Sequence, residues 1–312
     1  VATSGSKNYA ITRSDIIEAA YRKTGEFDIG ESISGDETAA ASLALNLLVK
    51  ELVAEGIDIW LRDEITLFLQ PDTKSYALGT TNATASYNET TLTGAEAIAS
   101  TVWGVTSSTG MTAADIVGVK TSDNTIHWDV IASVDSSTQI TGTTGLDVAA
   151  ASGAKVYAYT TTAGRPQKIL SAYRRDTSNI DTTVAIIGEE DYAQQSNKSS
   201  NGPPVQLWYH PTLTTGTMYV WPIDGGSTVD KLVFNAQFLP DDFDSSSDNP
   251  EFPIEWGNFL IWGLAAEIAT ELGVPEREQG RLWQIAEHKK EILLSYDSEN
   301  ASVIFALDSN RG

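Results

Sequence analysis

The sequence predicts an α+β protein, with helices toward both ends of the chain and a mainly antiparallel β-region inserted between them. Three observations carry this. Two early segments pair helix-capping residues with apolar runs. From Pro71 to Gly164 the composition shifts to Thr, Ser, Ala and Gly, with short alternating runs of β-branched and aromatic residues. From Asp241 to Glu299 come an acidic loop, a helix with little polar face, a tight proline turn and an amphipathic helix. The organisation expected is therefore N-terminal helices over 1–70, an inserted β-domain over 71–164, a β-strand region over 165–250, and a C-terminal helix hairpin with a tail arm over 251–312.

Thr12 and Asp15 predict an N-terminal cap, and the helix runs through IIEAAYRKT to Gly25, a residue suited to a left-handed stop. Ser34 and Glu37 form a capping box opening a second helix that ends at Gly56. Its residues Leu43, Leu45, Leu47, Leu48, Val49, Leu52 and Val53 are spread around the barrel, so it needs cover on more than one side. Residues 57–70 read as extended, with Ile65, Leu67 and Leu69 alternating. Short strands follow at VWGVT, DIVGVKT, TIHWDVIASV, TQITGT and KVYAYTT, separated by turns such as Ser122-Asp123-Asn124 and Ser152-Gly153. Longer strands are expected at PQKILSAYRRD, VQLWYH, TMYVWP and VDKLVFNAQFL, with a short helix from Gly188 to Gln195 and a hairpin turn at Gly225-Gly226. Pro253 starts a helix that runs to Leu272 before Gly273. Pro275 opens the last one, whose stripe is Leu282, Ile285, Lys289, Ile292, Leu293 and Tyr296, with the stem of Lys289 lying along it.

At 312 residues and 41% hydrophobic the chain can bury a core, yet its longest apolar run, Phe259 to Ala266, falls far short of the roughly 20 residues of a membrane span. The opening VATSGSKNYAITRSD has no apolar h-region of a secretory signal. The absence of cysteine excludes disulfides and thiolate metal sites. A formal charge of −22 argues against a protein that grips phosphates, which requires Lys and Arg. The charge suits a surface that DNA slides past, or simple solubility.

The chain carries few signals of chemistry, so no catalytic, cofactor or metal site is expected. His127, His210 and His288 have no second ligand at metal spacing. The run Asp241-Asp242-Phe243-Asp244 through Asp248 and Glu251 lacks the spacing of a calcium loop and reads as a solvated acidic loop anchored by Phe243. No G-x-S-x-G, P-loop or G-x-G-x-x-G occurs. Glu189-Glu190 is a chance acidic pair in an acidic chain. Arg174-Arg175, the densest basic spot, reads as a salt-bridging pair, with phosphate contact as the alternative. Trp256, Trp262 and Trp283 read as core or subunit interface. The helices greasy on several sides call for protein cover, partly from a neighbouring subunit, and so for an assembly component rather than an enzyme.

Three stretches, KVYAYTTTAGRPQKILSAYRRD, VQLWYHPTLTTGTMYVWP and DDFDSSSDNPEFPIEWGNFLIWGLAAEIATELGVP, together resemble the head-to-tail adaptors of short-tailed phages, the tail tubular protein A family and its prophage relatives. The turn DNPEFPIEW into the long helix is the most specific part, and DNTIHWDVIASV resembles an insertion carried by some relatives. The resemblance implies a helical bundle joining both chain ends with a β-domain beside it. It also implies a virion neck protein, assembled in the host cytoplasm as a homo-oligomeric ring, usually a dodecamer. Such a ring docks on the portal protein, carries the tail nozzle, can bear tail fibres, and lets DNA pass through its lumen without tight binding. On this reading Leu48, Leu52, Trp256, Leu260, Trp262, Leu264 and Ile268 carry subunit packing, and Val303, Ile304, Phe305 and Leu307 form an arm docking into the portal. The alternatives are a glycan-binding virion protein, reading sugar through Trp103 and Trp128, and a capsid decoration protein.

Overall fold

The structure, a computed structural model, describes residues 9–28, 30–54, 61–80, 82–225 and 229–296. Its five α-helices among those residues are α1 (Arg13–Thr24), α2 (Gly35–Ala54), α3 (Glu189–Ala193), α4 (Gly257–Ile268) and α5 (Glu276–Tyr296). The strands are β1 (Arg62–Phe68), β2 (Ser75–Leu78), β3 (Ala83–Thr84), β4 (Asn88–Thr91), β5 (Val102–Gly104), β6 (Ile116–Lys120) and β7 (Ile126–Ser136). They continue with β8 (Gln139–Gly142), β9 (Lys155–Tyr159), β10 (Lys168–Asp176), β11 (Asp181–Ile186), β12 (Gln206–Pro211), β13 (Gly216–Trp221) and β14 (Val229–Gln237). The chain divides into two units, Val1–Leu61 with Leu239–Gly312, and Arg62–Phe238.

The first unit holds α1, α2, α4 and α5. Local chemistry sets the helix ends. Thr12 Oγ1 accepts from the Asp15 backbone N–H at 3.2 Å, while the Asp15 carboxylate accepts from Thr12 N–H at 2.9 Å. Gly25 then turns the chain with φ 80°. Ser34 and Glu37 make the same reciprocal pair before α2. The helix α4 is central, touching α1, α2 and α5, and buries Leu260, Leu264 and Ile268 in one core with Ile16, Leu45 and Leu282. A short 3-10 turn, Ile254–Trp256, leads into α4, so the regular helix is shorter at both ends than Pro253–Leu272. The acidic loop is strapped to α1 and α2. Phe243 is buried, its N–H bonds Asn46 Oδ1 at 2.9 Å, and Lys50 Nζ meets Asp242 at 2.9 Å. Asn46, the one polar break in the Leu43–Val49 run, is thus the loop's acceptor.

The second unit holds α3 and two curled sheets. The larger has eight strands in the order β2-β13-β12-β11-β10-β14-β1-β3, all neighbours antiparallel except β11 and β12. The smaller has six strands, β4-β9-β6-β7-β8-β5, antiparallel throughout. Period-two alternation puts Leu232, Phe234 and Ala236 of β14 in the core of the larger sheet together with Ile65 and Leu67 of β1. Trp103, Val117, Ile131 and Ile140 fill the core of the smaller one.

Between the two sheets an aromatic cluster forms. Phe68 lies against Tyr87, Trp128, Tyr157 and Tyr159, with ring centroids 4.6–6.1 Å apart. Gln70 completes the junction, its side-chain amide donating to Ile126 O and accepting from Ile126 N–H, both at 2.9 Å.

The expected fold class, a helical bundle with an inserted antiparallel β-domain, is corrected: the molecule is mostly β, fourteen strands in sheets of eight and six against five helices among the described residues. The reason lies in strands with no hydrophobic signature of their own. NETT of β4 and DTTVAI of β11 are rich in polar and Thr residues, and they become strands because β9, β10 and β12 supply their partners. The strands β2 and β3, from within the Thr- and Ser-rich stretch, pair with β13 and β1 of the larger sheet.

Candidate interaction surface on the helical unit

The residues expected to carry subunit packing fall inside the chain's own core. Leu48, Leu52, Trp256, Leu260, Leu264 and Ile268 are buried together, and Trp262 is partly buried against them. Trp262 is flanked by cations, with Lys23 Nζ 5.1 Å and Lys289 Nζ 6.0 Å from its ring. Lys289 therefore does lie along the α5 stripe, whereas Ile292 is exposed and Ala286 takes the buried place beside Leu282. Among the three bundle tryptophans, Trp256 is buried and Trp283 is 46% exposed. The arm residues Val303, Ile304, Phe305 and Leu307 lie outside the described residues, as does Gly226 of the hairpin turn.

The uncovered apolar surface is elsewhere. The outer stripe of α2 shows Leu43 at 62% and Leu47 at 61% exposure, while Leu45, Leu48, Val49 and Leu52 point into the core. A helix with apolar residues all round has room inside for only one side, and α4 takes it. The close approach that allows this is at Gly263, where a Cβ would stand 3.0 Å from Leu48 Cδ2. Between α2 and α4 runs a groove of about 390 Å³, floored by Ala40, Leu43, Ala44, Leu47 and Ile268. Glu51, Glu267 and Glu271 form its wall. Burial pushes the Glu267 carboxyl above its ordinary value, and the charge of Glu51 pushes the same way. A second groove of about 290 Å³ continues along α5, bounded by Trp283, Glu287 and Lys290.

The remaining candidates have structural partners. Arg175 makes a bidentate pair with Asp181 at 2.7 and 2.8 Å, and Arg174 donates to Pro204 O at 2.7 Å. Trp103 is fully buried, and Trp128 is half-buried against Phe68. His127 is buried with Nδ1 2.9 Å from Asp147, His210 sits in β12 beside Trp208, and His288 is exposed on α5. Among the described residues no group of three His, Asp or Glu side chains could hold a metal ion, and no helix is long and apolar enough to cross a membrane. Glu189 and Glu190 sit in the first turn of α3, where negative charge suits a helix N-terminus.

One buried site had no sequence signal. Lys231 of β14 is 1% exposed, its Nζ 2.5 Å from Glu89 Oε2 and 3.2 Å from the Tyr87 hydroxyl. The rings of Tyr87 and Tyr157 lie 5.2 and 5.3 Å from the ammonium. This joins the two sheets, since Glu89 is on β4 and Lys231 on β14. No family model and no curated protein matches the chain.

Proposed function

We propose that the protein is a head-to-tail connector of a short-tailed phage, a ring-forming neck component that docks on the portal and supports the tail nozzle. The observation that carries the reading is the unfilled apolar face of α2, with Leu43 and Leu47 exposed on a helix whose other sides are already packed. A protein that acts alone has no use for such a face, whereas an assembly component does. The resemblance of the segments around DNPEFPIEW to the adaptor family supports the same conclusion, and the charge of −22 suits a channel wall that repels DNA. The face left for a neighbouring protein of the assembly is that of Leu43 and Leu47, and not the buried Leu260 or Leu264.

The test is the mass of the purified protein, alone and mixed with the portal protein of the same phage, by native mass spectrometry or light scattering. A ring, or a monomer that assembles stoichiometrically on the portal, is the expected outcome. A monomer indifferent to the portal overturns the reading.

A further inference from the structure

We propose that the groove between α2 and α4 receives an amphipathic segment of a different protein, one that presents an apolar stripe flanked by lysine or arginine side chains. The inference rests on the connector reading only for the kind of protein that would carry the segment, and not for the groove's chemistry. The floor is apolar, with Leu43 and Leu47 standing well out of it, so the occupant must bring apolar side chains to cover them. The wall is acidic on one side only. Glu51, Glu267 and Glu271 line it, and among the described residues none of the three makes an ion pair.

An apolar occupant laid over these carboxylates would strip their water without replacing it, which is costly for a charged group. A lysine or arginine at the edge of the stripe removes that cost and fixes the register of docking. The half-buried Glu267 already has its ionised form disfavoured by burial and by Glu51, so it gains most from a cation supplied by the occupant.

A second copy of the chain is a poor occupant. The sequence carries a net charge of −22, and two copies meeting through this face would bring the same carboxylates together. Nor do the described helices offer a complementary stripe. In α1, Arg22 and Lys23 are exposed but no large apolar side chain is. In α5, Trp283 and Leu294 share a face with Glu287 as well as Lys290, so that stripe would bring a carboxylate to the acidic wall along with its one cation. The partner is thus a basic amphipathic segment from another chain.

The experiment uses the full chain and a fluorescein-labelled, amidated helical peptide built of leucine, alanine and lysine, with its leucines on one face. Two controls replace every lysine by glutamate or scramble the order at fixed composition. Fluorescence anisotropy is expected to show the lysine peptide binding at least about tenfold more tightly than either control, a gap of ~1.4 kcal/mol. The double variant Leu43→Asp with Leu47→Asp is expected to lose that binding while keeping the wild-type circular dichroism and melting curve, since both side chains are exposed. These substitutions make the protein more negative, so a general attraction between a cation and an acidic protein would strengthen where groove binding is lost. Glu51→Gln with Glu267→Gln is expected to weaken the lysine peptide by about tenfold and to leave the glutamate control unchanged or tighter.

Equal binding of the lysine and glutamate peptides, equal binding of the scrambled peptide, or indifference to the two aspartates would each overturn the proposal. So would sedimentation showing a self-association that the aspartates abolish, because the occupant would then be a second copy. Loss of portal assembly with intact peptide binding sinks the connector reading and spares the groove. The opposite pattern spares the connector and sinks the groove.

Discussion

Lys231 shows how much a single side chain can depend on partners far away in sequence. Its neighbours Glu89 and Tyr157 come from the smaller sheet and Tyr87 from just ahead of β4, and Phe68 lies directly opposite it in the β1–β14 ladder. A lone buried ammonium would be prohibitive, and the carboxylate and ring faces make it tolerable. Burial alone would push the Glu89 carboxyl up, but the hydrogen bond and charge of Lys231, with Lys155 at 3.3 Å, hold it below its ordinary value. Lys231→Met keeps the stem and removes the charge, and is expected to cost about 2–3 kcal/mol in urea unfolding, since the pair is buried on the lysine side. The pH sign follows from a folded-state pKa lower than the unfolded one. The stability that Glu89 contributes is present above about pH 4.3 and is lost as pH falls through the depressed value. Unfolding titrations toward acid should therefore show a loss in the wild type that shrinks or reverses in Lys231→Met. At Gly142 the constraint is steric, because a Cβ there would stand 2.5 Å from the buried Trp103 ring. Gly142→Ala is expected to lower stability by about 1–3 kcal/mol in the same assay. No reading of the sequence pairs Lys231 with Glu89 or Gly142 with Trp103, because neither pairing leaves a local pattern.

Helices and strands differ in how far they are written into their own residues. The caps at Thr12 and Ser34, the stop at Gly25 and the opening of α5 after Pro275 could all be read directly, because each is a contact within a few residues. Ser34→Ala removes one half of the second capping box and is expected to cost about 1 kcal/mol, seen as a lower urea midpoint with an unchanged slope. The long strands β7, β10, β12, β13 and β14 were legible from alternation and β-branched content. The strands β4 and β11 were not, since their residues are polar and their identity comes from the ladders of β9, β10 and β12. The α2 helix was legible as a helix needing cover, and its two faces were not. Which leucines lie inside depends on where α4 approaches, and that is set by the contact of Gly263 with Leu48.

At the scale of the whole molecule, charge governs encounters. With a net charge of −22, the protein is expected to show no DNA mobility shift at about 0.15 M salt, where non-specific binding depends on cations that release counterions. A tight complex at that salt would mean a basic patch strong enough to overcome the net field, and would count against a DNA-repelling lumen. The candidate site was half visible in advance. The α2 and α4 segments were singled out as the place of subunit contact, yet Leu48, Leu52, Leu260 and Leu264 proved to be core, and Leu43 and Leu47 proved to be surface.

By itself the sequence determined the caps that open α1 and α2, the stop at Gly25, the longer strands, the acidic loop with Phe243 as its anchor, and the sign of the net charge. Each of these depends on residues within a turn or two of one another, or on composition alone. Only the tertiary structure decided that the molecule is mostly β, that Lys231 is sealed between two sheets, and that one apolar stripe of α2 stays bare above three unpaired carboxylates. Those outcomes depend on strand pairing and packing between residues that are distant in the chain, where hydrogen bonds and burial are assigned by partners and not by the residue's own type.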